Sequence, residues 1–562
     1  MQHVMLAAVV LAASSSTVYP LHRVAQVALE FSAAAANPWA VTDCSANVRG
    51  PTSSRHAAMT LPLFFDGTEG DNLVFAFRLT PDIVGTWAWQ LDCTPLTLAA
   101  GESPSGSIQV TAAGGGRGGA VASPRSPQQF EREDGSRWTP VGYEIDWLWA
   151  LGMDGGGAAS IAPVESALDV LSGYGFNHLL VSLYANHSGW NQNLPKAPPH
   201  IWWAEQVHNT PWVSMSNRSE LNLRFLRHWD NVLNAADTRD VVVHLMFYVG
   251  NKNVDWPERL SAADDIYWRN VLARFAAHPA VIIDVSKEAA SYGIGSAYIL
   301  NRLAMIHASN AHKRLVTAHS GLSWTEKCAG CGLTMLSTQT HKLNQSGGEF
   351  YSSVRKLMDA NPTTPVANVE FMYSAGVQRL CNGSAGHDCA APTADGCGND
   401  PSKYEPGHCA DLGVMRKNMW SYYMALSSST WYDCDTAWDV ISLPSADAAK
   451  APVGYRWMGY LAKFWEHVDR SQMRPCGAGP LDVHDKSVHG HCIRSGSTDS
   501  DQAILYLWGR SSFSFHHGTG KPMKGFWYDP LTGANQTCVT DGKELSAPAG
   551  FMEDAVLYLS PA

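Results

Sequence analysis

The chain has 562 residues, with 45% hydrophobic and 16% charged side chains and a formal net charge of −11. A single hydrophobic core stops growing near roughly 250 to 300 residues, so two or three domains are expected. Nucleic acid and anionic membrane surfaces are excluded as main partners, because either would require a basic patch and the sequence has no run of lysine or arginine.

The N-terminus resembles a secretory leader, since an apolar stretch from Val4 to Ala13 is followed by small residues. We expect a signal peptide over residues 1–20. Twelve cysteines favour an oxidising compartment. N-glycosylation sequons begin at Asn186, Asn217, Asn344, Asn382 and Asn535. Because no later apolar run reaches the roughly 18 residues needed to cross a bilayer, we expect a secreted, disulfide-bonded glycoprotein, extracellular or lumenal in the secretory pathway, with no membrane span.

Residues 21–112 carry short alternating segments such as V-A-Q-V-A-L-E-F and T-W-A-W-Q-L, separated by turn-forming residues. This pattern predicts an N-terminal β-sandwich, in which Cys44 and Cys93 could form a disulfide. Residues 113–126 are rich in glycine, and their composition predicts a flexible linker.

From residue 127 strand-like apolar runs alternate with helical patterns, which is typical of βα units and a parallel sheet. The strand candidates end at Glu144, Tyr184, Tyr248, Glu288, Ser320, His341, Glu370 and Asp433. These units predict an α/β fold, with a (β/α)8 TIM barrel over residues 127–468 that is flanked by N-terminal and C-terminal β-sandwich domains.

Residues 469–562 return to alternation, in segments such as A-I-L-Y-L-W-G-R and D-A-V-L-Y-L, and predict the C-terminal β-sandwich domain. The segment from Cys381 to Cys409 holds four cysteines and follows the seventh strand, so a disulfide-tied loop is expected there. Cys328 and Cys331 have no second pair at zinc-site spacing, which favours disulfides over a metal. We expect no metal and no cofactor.

Two glutamates close predicted strands 82 positions apart (370 minus 288): V-I-I-D-V-S-K-E ends at Glu288 and P-V-A-N-V-E ends at Glu370. Barrel enzymes keep their chemistry at the carboxyl ends of the strands, whereas a carboxylate in mid-strand would be buried at a cost of several kcal/mol. Two such strand ends indicate an acid/base and nucleophile pair for hydrolysis of a glycosidic bond.

Together these segments resemble the clan A glycoside hydrolases, in the group whose barrel lies between an N-terminal immunoglobulin-like domain and a C-terminal β-sandwich. The resemblance rests on Y-W-R-N-V-L-A-R-F-A-A-H-P-A-V-I-I-D-V-S-K-E, on Glu370, and on W-Y-D-P-L-T-G with D-A-V-L-Y-L. It covers nearly all of the mature chain. It implies a secreted hydrolase of a poly- or oligosaccharide, with Glu288 as acid/base, Glu370 as nucleophile and retention of configuration.

Lys287 departs from the pattern of that clan, whose members usually have asparagine before the acid/base. A cation beside Glu288 favours the charged carboxylate, which is the opposite of what a general acid needs. Lys287 therefore either points away from Glu288 or contacts a carboxylate or sulfate on the substrate. The second alternative would make the sugar anionic.

Further strand ends and loops supply candidate substrate-binding residues: Glu144, Asp146, Tyr248, Lys287, His319, His341, Tyr373, Trp431 and Trp190. Glu144 and Asp146 could fix sugar hydroxyls or be bonded to the backbone or to an arginine. His341 could hold Glu370 ionised or be exposed. Trp431 resembles the family's apolar platform under the sugar, against an ordinary core tryptophan.

Aromatic residues also gather in the loop after the second strand, namely Trp190, Trp202, Trp203 and Trp212. Their setting among Pro, Asn and His favours sugar-stacking positions over the core. Trp256 could do the same or pack against the start of the next helix.

A competing hypothesis is a catalytically inactive secreted protein that binds carbohydrate or mediates matrix adhesion. The replacement of asparagine by Lys287 supports it, whereas glutamates at both strand ends where the chemistry needs them favour the enzyme. Carbohydrate is the expected partner under either hypothesis.

Overall fold

The computed structural model describes residues 17–562, with the exception of 33–34, 154–159, 186–209, 215, 251–253, 289–292, 320–329, 340–346, 372, 375–411, 434–446, 448–450, 452, 477–488, 497–501, 510–513, 517–521, 541–543 and 552. The fold is mixed α/β. Antiparallel sheets lie at both ends of the chain, and parallel strands with helices lie between them.

The N-terminal strands are β1 (Thr17–Pro20), β2 (Ala25–Ser32), β3 (Cys44–Arg49), β4 (Ala58–Pro62), β5 (Phe64–Glu69), β6 (Asn72–Leu79), β7 (Gly85–Cys93) and β8 (Ser105–Thr111). They form one sheet in the order β1-β8-β7-β3-β4 and a second in the order β2-β6-β5. Phe77 on β6 packs edge-on against Trp89 on β7, with ring centroids 5.6 Å apart. The apolar faces of the two sheets therefore meet in a shared core.

The leader expected over residues 1–20 overlaps β1. Residues 17–20 pair in parallel with Ile108–Thr111 of β8, so they belong to the sheet. A leader that is cleaved from this fold would have to end before Thr17.

The expected disulfide between Cys44 and Cys93 is present and joins β3 to β7. Replacing both cysteines with serine is expected to lower the free energy of unfolding by about 2–4 kcal/mol, because the unfolded chain gains freedom. Denaturant unfolding measures this, with Cys538→Ser as control, since Cys538 forms no disulfide in the described structure. Equal stability of the double variant and the control would contradict the prediction.

The glycine-rich residues 113–126 do not form the flexible linker that their composition predicts. Within them β9 (Ala120–Ala122) pairs with β10 (Phe130–Arg132). A Cβ atom on Gly119 would lie 2.0 Å from Nη1 of Arg314. Glycine is needed here for close packing of the backbone, and a composition count cannot distinguish this from flexibility.

The central strands are β11 (Gly142–Glu144), β12 (His178–Ser182), β13 (Trp212–Ser214), β14 (Asn217–Leu221), β15 (Val242–Met246), β16 (Val281–Lys287), β17 (Val316–His319), β18 (Leu336–Gln339), β19 (Val366–Glu370), β20 (Tyr373–Ser374) and β21 (Thr430–Asp433). The helices are α1 (Ala162–Gly173), α2 (Leu223–Thr238), α3 (Ala262–Phe275), α4 (Ser296–Ser309), α5 (Gly347–Ala360), α6 (Leu412–Met424) and α7 (Val453–His467), with 3-10 turns at Pro38–Ala40 and Leu148–Gly152.

Each of the eight strands expected from the sequence forms in this central part. A parallel sheet runs in the order β17-β16-β15-β12-β11-β21-β20, and β18 pairs in parallel with β19. These two ladders are not joined into one closed sheet. Helix α3 begins at Ala262, and the side chain of the preceding Ser261 caps it by accepting the N–H of Asp264. The helix ends before Pro279, as the sequence predicts.

The flanking sheets are attached to the central helices by buried ion pairs. Arg78 of β6 donates to Asp230 of α2, and Asp230 also accepts from Arg274 of α3. At the other end, Arg416 of α6 donates to Asp554 at 3.0 Å. These contacts fix the central part against both antiparallel units.

The C-terminal strands are β22 (Arg474–Pro475), β23 (His489–Arg494), β24 (Ala503–Trp508), β25 (Ser514–His516), β26 (Met523–Tyr528), β27 (Asn535–Thr540), β28 (Glu544–Ser546) and β29 (Asp554–Pro561). Six of them form a sheet in the order β22-β23-β24-β29-β26-β27, and β25 pairs with β28. A disulfide joins Cys476 to Cys492. Among the described residues, no helix combines the length and the apolar character that a membrane crossing requires.

Candidate active site

The carboxyl ends of the central strands bring charged residues together. Glu144 ends β11, Lys287 ends β16, His319 ends β17 and Glu370 ends β19. Asp146 follows β11, and all five side chains are buried. Parallel strands present their carboxyl ends at one edge, where α/β enzymes place their chemistry.

Lys287 lies at the centre of this cluster. Its ammonium group donates to Oε1 of Glu144, and lies 3.4 Å from Oδ2 of Asp146 and 3.2 Å from the hydroxyl of Tyr432. Ser182 donates to the other oxygen of Asp146 at 3.0 Å. Lys287, Glu144 and Asp146 are thus engaged with one another, and the side chain of Lys287 is only 1% exposed. The protein's own carboxylates, Glu144 and Asp146, lie beside this cation.

The protonation of the cluster follows from its burial and its charges. Burial alone would lower the pKa of Lys287, but the negative charges of Asp146 and Glu144 raise it well above its usual value. Burial raises the pKa of Glu144 well above its usual value, and the charge of Asp146 adds to this, while Lys287 opposes it. We conclude that Lys287 stays charged and that burial makes Glu144 harder to ionise than an exposed glutamate.

Glu370 lies against His319 and Lys287. Its Oε2 is 3.0 Å from Nε2 of His319 and 4.0 Å from Nζ of Lys287. The side chain is 3% exposed. A buried carboxylate is costly unless positive charge or N–H groups are near it, and the ammonium group of Lys287 and the ring of His319 are the neighbours that the structure places beside Glu370. The sequence left His341 as a candidate for a contact with Glu370, and that residue lies outside the described part of the chain; within that part His319 makes such a contact.

Glu288 follows β16 and is partly exposed. Its backbone N–H donates to the carbonyl of His319 at 2.7 Å, and its Oε1 accepts from Nε2 of Gln339 at 2.9 Å. Its φ of 52° lies in the left-handed region, which costs a residue other than glycine free energy and is frequent at functional sites. Gln339 was not among the predicted residues, although it ends β18 as the other site residues end their strands.

Replacing Gln339 with leucine is expected to lower kcat by up to about tenfold, because a side-chain hydrogen bond contributes about 0.5–1.5 kcal/mol and each 1.36 kcal/mol is tenfold in rate. The volume of the side chain is nearly kept while the donor to Glu288 is lost. Steady-state kinetics measure the change, and Gln339→Glu tests whether a donor is needed. Full activity of Gln339→Leu would contradict a role for this contact.

Trp431 does not face the cluster. It pairs in register with Tyr143, whose ring packs against Tyr455 of α7 at 5.4 Å, so both rings point toward the helices. Successive residues of a strand point to opposite faces. Tyr432 consequently points toward Lys287, and its ring lies 5.5 Å from the ammonium nitrogen. The residue expected as a sugar platform belongs to the packing layer, and its neighbour lies at the site.

Tyr248 reaches Lys287 through its backbone. Its carbonyl accepts the N–H of Lys287 at 2.9 Å, while its ring stacks on Trp256 at 4.7 Å and packs against Tyr298. Trp212, expected in a sugar-stacking loop, is fully buried and packs against Trp256 at 5.7 Å. These aromatic rings form a core between β15 and the adjoining helices.

The remaining predicted residues are only partly covered by the structure. Trp190, Trp202, Trp203 and His341 lie outside the described residues. Tyr373 lies in β20, beside β21, by its backbone. In the part of the chain that the structure describes, no three His, Cys, Asp or Glu side chains are grouped to hold a metal ion.

The fold is mixed α/β, and carboxylates gather at the carboxyl ends of its parallel strands. This arrangement and the family match that follows support a glycoside hydrolase. Residues 158–469 match the model of the family described as Apiosidase-like, catalytic domain. The chain belongs to this family. No curated protein sequence matches the chain.

Two solved structures from Bacteroides vulgatus share the fold. An inferred glycoside hydrolase aligns with a TM-score of 0.68 and 14% identity, over 98% of this chain and 100% of its own. A glycoside hydrolase family 5 protein aligns with a TM-score of 0.54 and 15% identity, over 79% of this chain and 93% of its own. At such identities the likeness concerns the fold.

Proposed function

We propose that the chain is a retaining glycoside hydrolase in which Glu370 is the nucleophile and Glu288 is the acid/base. One observation carries the proposal: both glutamates adjoin the end of β17. The ring of His319 lies 3.0 Å from the carboxylate of Glu370, and the carbonyl of His319 accepts the N–H of Glu288. A buried carboxylate and a partly exposed one thus lie at the same edge, which suits a nucleophile and an acid/base.

The proposed chemistry has two steps. The carboxylate of Glu370 attacks the anomeric carbon while Glu288 gives its proton to the departing glycosidic oxygen, so that an ester forms and the C–O bond to the leaving group breaks. Glu288, now a carboxylate, then takes a proton from water as that water attacks the anomeric carbon and releases Glu370. Two displacements retain the configuration of the sugar.

We further propose that the central strands close into a (β/α)8 barrel. Two backbone bonds that link the separate ladders support this: the N–H of Thr334 donates to Val316, and the N–H of Asn368 donates to Ser428, each at 2.9 Å. The first bond connects β17 to the residues just before β18, and the second connects β19 to the residues just before β21. A closed sheet would direct both glutamates into its mouth.

Secretion remains part of the proposal. The disulfides Cys44–Cys93 and Cys476–Cys492 support it, because such bonds persist in oxidising compartments. Expression in a secreting host, with sequencing of the mature N-terminus, tests it. Retention inside the cell with an intact N-terminus would contradict it.

Two observations guide the choice of candidate substrates: the family to which the chain belongs and the ion pairs of Lys287. The family is named for apiosidases, so apiose-bearing glycosides come first in a panel. Because Lys287 is balanced by Glu144 and Asp146, neutral sugars are preferred to uronic-acid and sulfated ones.

The deciding experiment is a glycan panel with apiosides, neutral glycans and anionic polymers, in which the anomer first released is followed by NMR. Release of a sugar with retained configuration is the expected result. Inversion would overturn the assignment of Glu370 as nucleophile, since a water would then attack directly. Binding without turnover of any substrate would favour the carbohydrate-binding alternative.

A further inference from the structure

Asp284 is a fully buried carboxylate in the middle of β16, and the proposed mechanism does not use it. Its Oδ2 accepts from Nε2 of His244 at 2.7 Å, and Nδ1 of His244 lies 3.3 Å from Nε2 of His178. Burial holds the pKa of His178 well below its usual value, so His178 is neutral. A buried charge costs several kcal/mol unless it is fully bonded, and an apolar residue would fill the same volume more cheaply.

The second oxygen of Asp284 joins two strands. Oδ1 accepts the backbone N–H of Ser286, two residues further along β16, at 2.9 Å. The same oxygen accepts the backbone N–H of His319, on the neighbouring strand β17, at 3.1 Å. One carboxylate oxygen therefore ties the strand that leads to Glu288 to the strand that carries His319.

These bonds lie where the pairing of β16 with β17 is irregular. Asp284 pairs with Thr317, but Lys287 pairs with His319, so three residues on β16 span the distance that two span on β17. In a regular strand residues 284 and 287 would face opposite sides. The bulge instead lets Asp284 reach His244 while Lys287 reaches Glu144. Bulges re-aim side chains next to active sites.

The bulge in β16 is linked by further contacts to Glu288 and Glu370. Beyond the bulge, Glu288 has a φ of 52° and donates its N–H to the carbonyl of His319. The ring of His319, in turn, lies 3.0 Å from Glu370. The backbone of His319 thus contacts Asp284 on one side and Glu288 on the other, and its side chain contacts Glu370.

We propose that Asp284 is a positioning residue that sets the geometry of the acid/base and the nucleophile together, by bonding the N–H groups of Ser286 and His319. This inference rests on the proposed roles of Glu288 and Glu370. It predicts that an acceptor oxygen at position 284 is needed, whereas a negative charge is not.

Asp284→Ala is expected to lower kcat roughly 100-fold on substrates with poor leaving groups, which corresponds to a displacement of about 1 Å. The loss should be smaller on activated aryl glycosides, because these need less help from an acid, and KM should change little. Asp284→Asn keeps an oxygen that accepts from both N–H groups, so it should restore most of the activity. Should the alanine variant not fold, Asp284→Ser replaces it, since its hydroxyl is too short to reach both groups.

Asp264 provides the matched control. It is also a buried aspartate that accepts a backbone N–H, that of Leu260 at 2.8 Å, and it binds Arg302. Asp264→Ala should lower thermal stability without any dependence of the rate on the leaving group. Equal losses on good and poor leaving groups for Asp284→Ala, or a folded Asp284→Asn as inactive as the alanine variant, would overturn the proposal.

A crystal structure of Asp284→Ala, or of Asp284→Ser, provides a measurement that does not depend on activity. Glu288 is expected to leave its left-handed conformation and to lose its contact with Gln339. An unchanged backbone at Glu288 would overturn the positioning role. Failure of the parent protein to hydrolyse any glycoside would instead remove the proposed function, and the two failures are thereby distinguished.

Discussion

Replacing Glu370 with alanine is expected to lower kcat by roughly 10⁴-fold or more, the scale of loss seen when a nucleophile is removed. Sodium azide is expected to restore turnover of an activated substrate. The small anion fits the space that the carboxylate leaves and attacks the anomeric carbon once, while Glu288 still protonates the leaving group. The product should then be a glycosyl azide of inverted configuration.

The same experiment with Glu288→Ala separates the two roles. In that variant Glu370 still forms the ester, and azide replaces water in the second step, so the azide product should have retained configuration. Glu466→Ala, on the exposed end of α7, is the matched control and should behave like the parent. An azide product of retained configuration from Glu370→Ala would mean that Glu370 is the acid/base and Glu288 the nucleophile. Full activity of either variant would contradict the role proposed for the residue that it replaces.

The ends of the central strands were accessible from the sequence. Apolar runs bounded by helix and turn signals predict that four of these strands end at Glu144, Glu288, Ser320 and Glu370, within one residue of the observed ends at Glu144, Lys287, His319 and Glu370. The structure brings the side chains at these observed ends to one edge. The inference holds because parallel strands share a direction, so a residue that ends one strand lies near those that end its neighbours.

The sequence does not predict, in the same way, which face of the sheet a side chain occupies. Strands of a parallel sheet that is covered by helices are buried on both faces. Their sequences therefore do not alternate between polar and apolar residues, and the two faces cannot be told apart. Trp431 and Tyr432 are both fully buried or nearly so, and only the register with Tyr143 reveals that Tyr432 is the one at Lys287. The bulge in β16, which re-aims Lys287, leaves no signature in the apolar pattern either.

Asp284 stands out in the sequence as a charged residue within a predicted buried strand. A charged residue in the middle of the run V-I-I-D-V-S is costly in a buried strand, and such a residue requires a specific set of partners. What the sequence cannot supply is the identity of those partners, because His244 and His319 come from separate strands. Only their placement in space connects Asp284 to the glutamates.

Lys287→Met is expected to lower the free energy of unfolding by about 3–5 kcal/mol at neutral pH, because removing one partner of a buried ion pair leaves uncompensated charge. The ammonium group donates to Glu144, lies 3.4 Å from Asp146 and lies 4.0 Å from Glu370. Because methionine keeps most of the side-chain volume, the loss in free energy of unfolding measures the contribution of charge and hydrogen bonding. Lys463→Met, at an exposed position of α7, is the control.

The deficit should depend on pH, and its sign follows from Glu144. Burial raises the pKa of Glu144 in the folded chain, and Lys287 opposes that rise. Without Lys287 the pKa of Glu144 rises further. A carboxyl group with a raised folded pKa stabilises the fold fully below its unfolded pKa of about 4.5, and this contribution is lost as the pH rises through the folded pKa. Chemical denaturation at pH 5 and pH 8 should therefore give a smaller loss of stability at pH 5, and equal losses at the two pH values would contradict a raised pKa of Glu144.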